Sequence, residues 1–237
     1  NNCVVSQVFS IIEPLQIASA ITSSIDALCY GDCNGSATVS VGNGTQPYTF
    51  SWVPSGGSTP NATGLCAGVN NVLITDANGC QINNGTLINE PTELIPSMVG
   101  TNILCNGGSD GEITVAVTGG SIPYNYQWLP GGTGNGVTVS NLGAGAYTVI
   151  ITDINGCDTN QTMSIIDPAP LTVTGGSTPS SCGDPNGQAY VSVNGGTMPY
   201  TYSWFDGGGI PIGQTTDTAT GLIQGAYQCL IEDNNGC

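Results

Sequence analysis

The chain contains no Lys, no Arg and no His among its 237 residues. An average soluble protein is about a quarter charged, so roughly thirty cationic residues would be expected here. The acids give a net charge of -16. Binding to a nucleic-acid backbone needs cations, and an anionic membrane surface repels such a chain. No apolar run approaches the roughly 20 residues of a membrane helix. We therefore expect no nucleic-acid partner and no membrane insertion in this segment.

The same absence removes most catalytic chemistry. Ser-His-Asp and Cys-His sites, phosphate-binding loops and lysine-based cofactor sites each lack a required residue. Paired carboxylates, as in glycosidases, remain available. However, the acids are scattered in turns that recur along the chain, which suits a structural role better than one active site. The sequence predicts a protein that is not an enzyme and has no cofactor, calcium excepted as discussed below.

Glycine, proline and cysteine are abundant, with 36, 14 and 10 residues respectively. Ten cysteines in a chain rich in Gly, Thr and Asn indicate an oxidising compartment and disulfide bonds. We therefore expect an extracellular or cell-surface location. No signal peptide opens the sequence, which is explained if it is an excerpt from a longer exported chain.

A short aromatic stretch occurs three times, with its tryptophans separated by two intervals of 76 residues (128 minus 52, and 204 minus 128). In each copy aromatic and small polar residues alternate, which predicts a strand with an aromatic inner face. We expect each copy to be the core strand of one domain. The predicted core aromatics are Tyr48, Phe50, Trp52, Tyr124, Tyr126, Trp128, Tyr200, Tyr202 and Trp204.

The tripeptide Asn-Gly-Cys closes a unit at Cys80, Cys157 and Cys237, and Asn2-Cys3 resembles its end. Each of the first three of these cysteines along the chain is followed eleven residues later by an acid-Pro pair, with a strand-like stretch between. Proline cannot donate a ladder hydrogen bond, so it marks the strand end and a linker. The predicted domains are residues 15–91 (first repeat), 92–168 (second repeat) and 169–237 (third repeat).

Residues 1–14 then correspond to the last strand of a preceding repeat, and the third repeat lacks its own last strand. One interpretation is an excerpt cut between strands. The other is that a neighbouring chain donates residues 1–14 to complete the third repeat, by main-chain pairing along an open sheet edge.

Within each unit, short alternating strands follow one another with Gly, Asn and Asp turns between them, and no helical periodicity occurs. Such spacing is typical of a β-sandwich. Tyr147 and Tyr227 stand where an immunoglobulin-like strand F carries its tyrosine. Cys229, two residues later on the inward face, is expected to be a buried free thiol. The predicted fold is all-β, with tandem immunoglobulin-like β-sandwich domains in a string.

The recurring motifs resemble those of the SprB repeat family. The second repeat carries CNGGSDGEITVAVTGG, PYNYQW and LGAGAYTVIITDINGC in order. The first carries CNGSATVSV, PYTFSW and VLITDANGC, and the third is looser, with SCGDPNG and a longer segment after Trp204. The resemblance implies a segment of a long cell-surface adhesin or filament protein of Bacteroidota, a group in which some members serve gliding and type IX export.

One cysteine falls early and one late in each unit. The simplest pairing is therefore within repeats, as Cys29–Cys80, Cys105–Cys157 and Cys182–Cys237. Cys33 and Cys66 occur only in the first repeat and are expected to pair with each other. The alternative is a bridge between adjacent repeats, because a cysteine in the last turn of a sandwich can face its neighbour. Such a periodic cross-link would make a stiffer rod.

The Asp-x-Asn-Gly segments are predicted hairpin turns, since Asn-Gly suits positive φ. Alone they offer too few oxygen ligands for calcium, but they could join other acids at a junction between repeats. The calcium candidates are Glu13, Asp32, Asp76, Glu90, Asp110, Asp153, Asp167, Asp184 and Asp233.

Five asparagines begin Asn-x-Ser/Thr sequons, namely Asn34, Asn43, Asn61, Asn84 and Asn160. Thr218, in Asp-Thr-Ala, resembles the O-glycosylation signal of the same bacterial group. These six positions are the glycosylation candidates.

The sequence thus predicts a structural segment of an exported bacterial surface adhesin or extracellular filament, in which disulfide-stabilised repeats act as a stalk. Its expected partners are further copies of the repeat, in the same chain or in neighbouring subunits of a fibre. The alternative is a carbohydrate-binding surface module that recognises surface glycans.

Because trypsin cleaves after Lys and Arg, and the chain has neither, it should survive trypsin both native and after reduction and unfolding. Gel electrophoresis of the digests measures this. Chymotrypsin, which cleaves after aromatic residues, serves as the control and should degrade the reduced, unfolded chain. Tryptic fragments from the unfolded chain would contradict the prediction.

Overall fold

The computed structural model describes residues 3–130 and 135–237. This described part contains seventeen β-strands and no helix, and hence none that could cross a membrane. The predicted all-β class is confirmed.

Three sets of strands follow one another along the chain. The first repeat contains β1 (Ala18–Ile25), β2 (Gly35–Gly42), β3 (Thr49–Val53), β4 (Asn61–Leu65), β5 (Gly68–Thr75) and β6 (Gln81–Ile88). The second contains β7 (Ile95–Thr101), β8 (Gly111–Thr118), β9 (Asn125–Leu129), β10 (Thr138–Leu142), β11 (Gly145–Thr152) and β12 (Asp158–Ile165). The third contains β13 (Thr172–Thr178), β14 (Gly187–Asn194), β15 (Thr201–Asp206), β16 (Thr218–Leu222) and β17 (Tyr227–Glu232).

The first two sets have the same sheet topology, and the third set has it without the sixth strand. The first repeat has one sheet in the order β1-β2-β4 and a second in the order β3-β5-β6; the second repeat has β7-β8-β10 and β9-β11-β12. In immunoglobulin notation these are sheets ABE and CFG, which define the immunoglobulin-like sandwich. The third repeat has β13-β14-β16 but only β15-β17 for its second sheet. The predicted immunoglobulin-like fold is therefore confirmed.

The chain forms two compact units. Unit 1 comprises Asn1–Ile95, Val117–Tyr124 and Thr152–Thr159, and unit 2 comprises Pro96–Ala116, Asn125–Ile151 and Asn160–Cys237. The second repeat contributes residues to both units. The division into domains at residues 91 and 168 therefore stays a prediction.

The core of the first repeat lies between its two sheets. Alternate residues of β2 and β5 point inward and are buried, as the period of two in a strand requires. The buried cluster takes members from both sheets, among them Val39, Trp52, Leu65, Ile74 and Ile88. Burial of these apolar side chains between two sheets is the main stabilising term of the sandwich.

The three aromatic strands β3, β9 and β15 place their tryptophans in the core, with Trp52, Trp128 and Trp204 exposed by 5%, 2% and 4%. Each indole Nε1–H donates to a main-chain oxygen, of Thr59, Gly136 and Thr216 respectively, at 2.9–3.0 Å. The other six predicted core aromatics are half-buried, and they are Tyr48, Phe50, Tyr124, Tyr126, Tyr200 and Tyr202.

A tyrosine near the start of the fifth strand bonds back to the chain before that strand. The hydroxyl of Tyr147 donates to Gly143 O at 3.0 Å and that of Tyr227 to Ile223 O at 3.2 Å. This contact corresponds to the tyrosine corner of immunoglobulin-like domains. In the first repeat Asn70 takes the position, and its Nδ2 donates to Cys66 O at 2.9 Å.

Residues 3–17 form no strand in this chain, although the sequence predicts one between Val4 and Pro14. The apolar side chains of residues 3–16 are exposed, including Phe9 and Ile11, whereas Ile17 lies in the core of the first repeat. The corresponding stretches after Cys80 and Cys157 are the strands β6 and β12, each paired with the strand before it. The difference is physical: a strand needs a neighbouring strand for its main-chain hydrogen bonds, and no described strand pairs with residues 3–14.

Replacement of Trp52 by alanine should destabilise the first repeat by about 3–5 kcal/mol, because it opens a cavity and leaves Thr59 O without its donor. Val53→Ala is the matched control, since this neighbour points outward and is 57% exposed. The control should change stability by less than about 0.5 kcal/mol. Urea unfolding followed by circular dichroism measures both, and equal effects would show that the indole does not lie in a core.

Candidate functional site

The most elaborate polar structure lies where one repeat follows another. In each repeat, the main-chain oxygen of a linker residue accepts a hydrogen bond from a glycine in the turn between the second and third strands. Gly44, Gly120 and Gly196 donate their N–H to the main-chain oxygens of Leu15, Thr92 and Ala169. All three glycines have positive φ, and a Cβ on any of them would approach an apolar side chain of the linker within 2.7–2.8 Å. Only glycine fits this close approach.

The turn after the fifth strand is organised by one aspartate carboxylate. Asp76 Oδ1 accepts from the N–H of Asn78 and of Cys80, both at 2.9 Å, while Oδ2 accepts from Thr45 N at 3.0 Å. Asp153 and Asp233 make the same three bonds, with Ser121 and Thr197 in the place of Thr45. The three carboxylates are buried. Each therefore fixes the cysteine four residues later relative to the glycine turn.

These bonds change the acidity of two of the carboxylates. The N–H of Thr45, with those of Cys80 and Asn78, holds the pKa of Asp76 below its ordinary value, while burial acts in the opposite direction. The N–H groups of Cys237 and Thr197 lower the pKa of Asp233 in the same way. Hydrogen bonds to the charged form of a carboxylate stabilise that form.

At the other end of each sandwich, the acid of the acid-Pro linker binds the early cysteine loop. Glu90 Oε2 accepts from Gly31 N at 2.6 Å, and Asp167 Oδ1 accepts from Gly107 N at 3.0 Å. Asn106 Nδ2 also donates to Pro168 O at 2.9 Å. The cysteine loop is therefore held beside the linker that leads into the next repeat.

The disulfides join successive repeats. Cys29 is bonded to Cys157 within unit 1, and Cys105 to Cys237 within unit 2. The predicted pairs Cys29–Cys80, Cys105–Cys157 and Cys182–Cys237 are wrong, and the alternative bridge between adjacent repeats is the one observed. Cys33 is bonded to Cys66.

Cys29 and Cys80 do not pair because the length of the sixth strand, β6, separates them. Cys80 immediately precedes β6 and Glu90 follows it, while the Cys29 loop is bound to Glu90. The eight residues of β6 rise about 3.3 Å each, so they span roughly 26 Å. A disulfide requires Cα atoms about 4.4–6.8 Å apart. Cys29 and Cys80 thus lie at opposite ends of one sandwich.

An asparagine side chain accompanies each bridge between repeats. Asn155 Nδ2 donates to Leu28 O at 3.2 Å, and Asn235 Nδ2 donates to Leu104 O at 2.9 Å. From the sequence, these asparagines are predicted only as turn residues. Their signal was the recurrence of Asn-Gly together with Cys, which a hairpin turn alone does not require.

The first repeat has the same turn, but its cysteine, Cys80, is not in a disulfide. Asn78 Nδ2 donates to Thr45 Oγ1 at 2.8 Å, as Asn235 does to Thr197 at 3.1 Å. Four cysteines are free in the described part of the chain, namely Cys3, Cys80, Cys182 and Cys229. Cys229 is half-buried, and burial raises the pKa of its thiol.

The calcium candidates do not converge. No group of three acidic, cysteine or histidine side chains close enough to hold a metal occurs among residues 3–130 and 135–237. The bonds described above occupy the turn and linker carboxylates, and Asp110 Oδ1 accepts from Leu104 N at 3.2 Å. Asp32 Oδ2 accepts from Asn34 Nδ2 at 3.3 Å, and Glu13 and Asp184 are exposed.

The glycosylation candidates differ in accessibility. Asn34, Asn43, Asn61 and Asn160 are exposed. Asn84 is half-buried and its Nδ2 donates to Ser19 O and Oγ, both at 3.1 Å, so a glycan there would remove a contact between β6 and β1. Thr218 is half-buried, and its Oγ1 donates a hydrogen bond to Asp217 Oδ1 at 3.0 Å.

The family model described as the SprB repeat matches the chain at residues 21–59, 99–133 and 174–209. The chain carries three SprB repeats. Each match covers the first three strands of one repeat, including its early cysteine loop and its aromatic strand. The suspected family is therefore confirmed. A comparison with curated protein sequences found no match.

Solved structures similar to this three-repeat chain include tandem immunoglobulin domains. The eight N-terminal Ig domains of Down Syndrome Cell Adhesion Molecule align with 14% identity and a TM-score of 0.39 over 85% of this chain, which spans only 33% of that one. Dpr2 Ig1-Ig2 in complex with DIP-Theta Ig1-Ig3 aligns with 12% identity and a TM-score of 0.29 over 92% of this chain and 96% of that one. A tetra-tandem repeat in the extending region of a large adhesion protein aligns with 11% identity and a TM-score of 0.26, over 92% and 66%.

Stability against urea should fall as the pH decreases through the lowered pKa values of Asp76 and Asp233. A depressed pKa stabilises the fold above the unfolded value and loses that contribution on protonation, so stability should be level above about pH 5 and decline below about pH 4. Asp76→Asn should weaken the decline and lower stability at pH 7, because the amide nitrogen that replaces Oδ2 cannot accept from Thr45 N. The exposed Asp158→Asn is the control, and an unchanged acid profile in the Asp76 variant would contradict the assignment.

Proposed function

We propose that this chain is a load-bearing stalk segment of an extracellular, surface-anchored adhesin or filament, and that it is not an enzyme. Three SprB repeats, immunoglobulin-like sandwiches and disulfides that need an oxidising environment support the proposal. The repeats at 15–91, 92–168 and 169–237 act as its mechanical modules. Its partners are further copies of the repeat, in the same chain or in neighbouring subunits of a fibre.

The observation that carries the proposal is the stagger of the two bridges between repeats. The loop closed by Cys29 and Cys157 overlaps the loop closed by Cys105 and Cys237 over residues 105–157. Two disulfides placed in separate repeats would each protect one module. Overlapping loops instead give a covalent connection that continues from one repeat into the next.

The consequence for extension under force follows from chain lengths. Without the bridges, the covalent path from Cys29 to Cys237 is 208 residues (237 minus 29). With both bridges, the shortest covalent path passes through the first disulfide from Cys29 to Cys157, follows the main chain back to Cys105, and passes through the second disulfide to Cys237. This path contains 52 residues of main chain (157 minus 105). At about 3.5 Å per extended residue, the limit falls from roughly 730 Å to roughly 180 Å. Even a fully unfolded stalk would therefore lengthen only to about a quarter of its free contour.

The bridges also stabilise the folded state. Each closes a loop of about 130 residues, with separations of 128 and 132. In the chain-entropy model such a loop contributes about 4–5 kcal/mol by restricting the unfolded ensemble. The aromatic strands, in contrast, turn their rings toward the cores and offer no exposed platform for sugar stacking. The described structure thus favours a mechanical role over the carbohydrate-binding alternative.

Single-molecule force spectroscopy tests the proposal on the whole chain held at its two ends. The oxidised chain should reach a maximum length shorter by roughly 430 Å than the Cys29→Ser/Cys105→Ser double variant. The variant restores the long covalent path except for the 33 residues that Cys33–Cys66 still bypasses, so its path is 175 residues (208 minus 33) against 52. The difference should disappear when both are measured in reducing buffer.

The Cys33→Ser/Cys66→Ser double variant is the matched control. It also removes one disulfide, but the short path from residue 157 to residue 105 does not pass through residues 33–66. Its maximum length should equal that of the wild type. A wild-type chain that extends as far as the Cys29→Ser/Cys105→Ser variant would overturn the mechanical role.

A further inference from the structure

The third repeat has an open sheet edge where the other two have a sixth strand. β5 pairs with β3 on one side and β6 on the other, and β11 pairs likewise with β9 and β12. β17 pairs with β15 alone, and no other described strand lies along its second edge. An unpaired strand edge presents a row of main-chain donors and acceptors to any partner strand.

The core beneath that edge is incomplete in the same way. Val72 and Val149 are fully buried at one position of the fifth strand, whereas the equivalent Cys229 is half-buried. On the opposite sheet Val39 and Val115 are buried, but Val191 is only half-buried. A groove of about 350 Å³ runs between β13 and β17 over these residues.

A single isoleucine fills the equivalent space in the first two repeats. Ile88 and Ile165, each eight residues after the turn cysteine, are 1% and 3% exposed. They pack on Gly35 and Gly111, so closely that a Cβ on either glycine would lie within 2.8–2.9 Å of the isoleucine Cγ2. At the corresponding Gly187 the nearest side-chain atom is Ser180 Cβ, at 3.4 Å from the position of a Cβ on that glycine. Among the described residues, no isoleucine packs on Gly187.

Residues 4–12 match what the edge lacks. They are uncharged, they form no strand of their own, and Ile11 stands eight residues after Cys3 with 99% of its surface exposed. In the β5–β6 register Thr75 opposes Gln81 and Gly68 opposes Ile88. The same register places Val4 opposite Glu232 and Ile11 opposite Gly225. Val5, Phe9 and Ile11 then point into the groove, and Ser6 and Ser10 point to solvent.

The free cysteines give an independent indication. Each observed bridge joins the early loop of one repeat to the turn cysteine of the next, as Cys29–Cys157 and Cys105–Cys237. The same rule leaves an early-loop cysteine in the third repeat, Cys182, and a turn cysteine in the first repeat, Cys80. Both are free and exposed. Asn78 stands beside Cys80 as Asn155 and Asn235 stand beside the bonded turn cysteines.

We propose that two copies of this chain join head to tail: residues Val4–Ile12 of a second copy add to the edge of β17, and Cys80 of that copy forms a disulfide with Cys182. The two contacts require the same order of repeats, since the donated strand leads through Pro14 into the repeat that carries Cys80. This inference extends the proposed stalk role to assembly, and it continues the staggered bridges from one copy to the next.

The disulfide requires an oxidant, for which a glutathione disulfide serves. Each thiol gives up one proton and one electron as the sulfur–sulfur bond forms, and the glutathione disulfide takes up both electrons and both protons to leave as two glutathione thiols. Docking of the strand comes first, because it brings the two exposed thiols together.

The experiment mixes two full-length variants in a glutathione redox buffer, both carrying Cys3→Ser. Copy A also carries Cys80→Ser and keeps Cys182, while copy B carries Cys182→Ser and keeps Cys80. The mixture should give one covalent dimer on non-reducing gels, joined through Cys182 and Cys80 by peptide mass spectrometry. Neither copy alone should give it. Absence of the dimer from the mixture, or dimers of a single copy in equal yield, would overturn the proposal.

The strand contact is tested by Ile11→Asp placed in one copy at a time. In copy B it buries an unpaired carboxylate in the groove and should reduce the dimer yield by about tenfold or more. In copy A the same substitution lies on a segment that the dimer does not use, and the yield should stay within about twofold. Ser10→Asp in copy B adds the same charge on the solvent face and should also have little effect.

Equal losses from Ile11→Asp in either copy would overturn the strand contact. Failure of the head-to-tail dimer is distinguishable from failure of the stalk role, because the force measurement depends only on Cys29–Cys157 and Cys105–Cys237. A chain with normal force response and no dimer would refute the assembly alone.

Discussion

The turn after the fifth strand positions the cysteine that links one repeat to another. Its aspartate carboxylate accepts three main-chain N–H groups, two from its own turn and one from the glycine turn at the start of the aromatic strand. A carboxylate with both oxygens occupied leaves the following cysteine little freedom. The cysteine therefore stands at the end of the sandwich that faces the preceding repeat, and there the disulfide forms. The proposed stalk role depends on this short polar arrangement as much as on the apolar cores.

The cores and the junctions are stabilised by different interactions. Each core buries the tryptophan of its aromatic strand between two sheets. This burial stabilises one repeat independently of its neighbours. The junctions combine a glycine contact, an asparagine side chain and a disulfide. Repeat arrays gain stability from modules and interfaces together. In this chain disulfides contribute to the interface term, and the chain has no Lys or Arg to form ion pairs there.

Much of the fold could be predicted from the sequence, because strand alternation and turn residues are local signals. The three Tyr-x-aromatic-x-Trp stretches predicted the buried tryptophans, and Pro after an acid marked the linkers. The disulfide pairing could not be predicted in the same way. It depends on which end of a sandwich each turn occupies, and this follows from the number of strands between Trp52 and Cys80. The open edge of β17 and the exposure of residues 3–16 were predictable only to the extent that the third repeat lacks a last strand in this sequence.

Disulfide mapping of the oxidised chain tests the central claim most directly. Proteolysis without reduction, for example by chymotrypsin, followed by mass spectrometry identifies each pair of linked peptides. The account predicts peptides that join Cys29 to Cys157 and Cys105 to Cys237, along with Cys33 to Cys66. Peptides that join Cys29 to Cys80 and Cys105 to Cys157 would contradict it, because each repeat would then be closed on itself and no disulfide would join one repeat to the next.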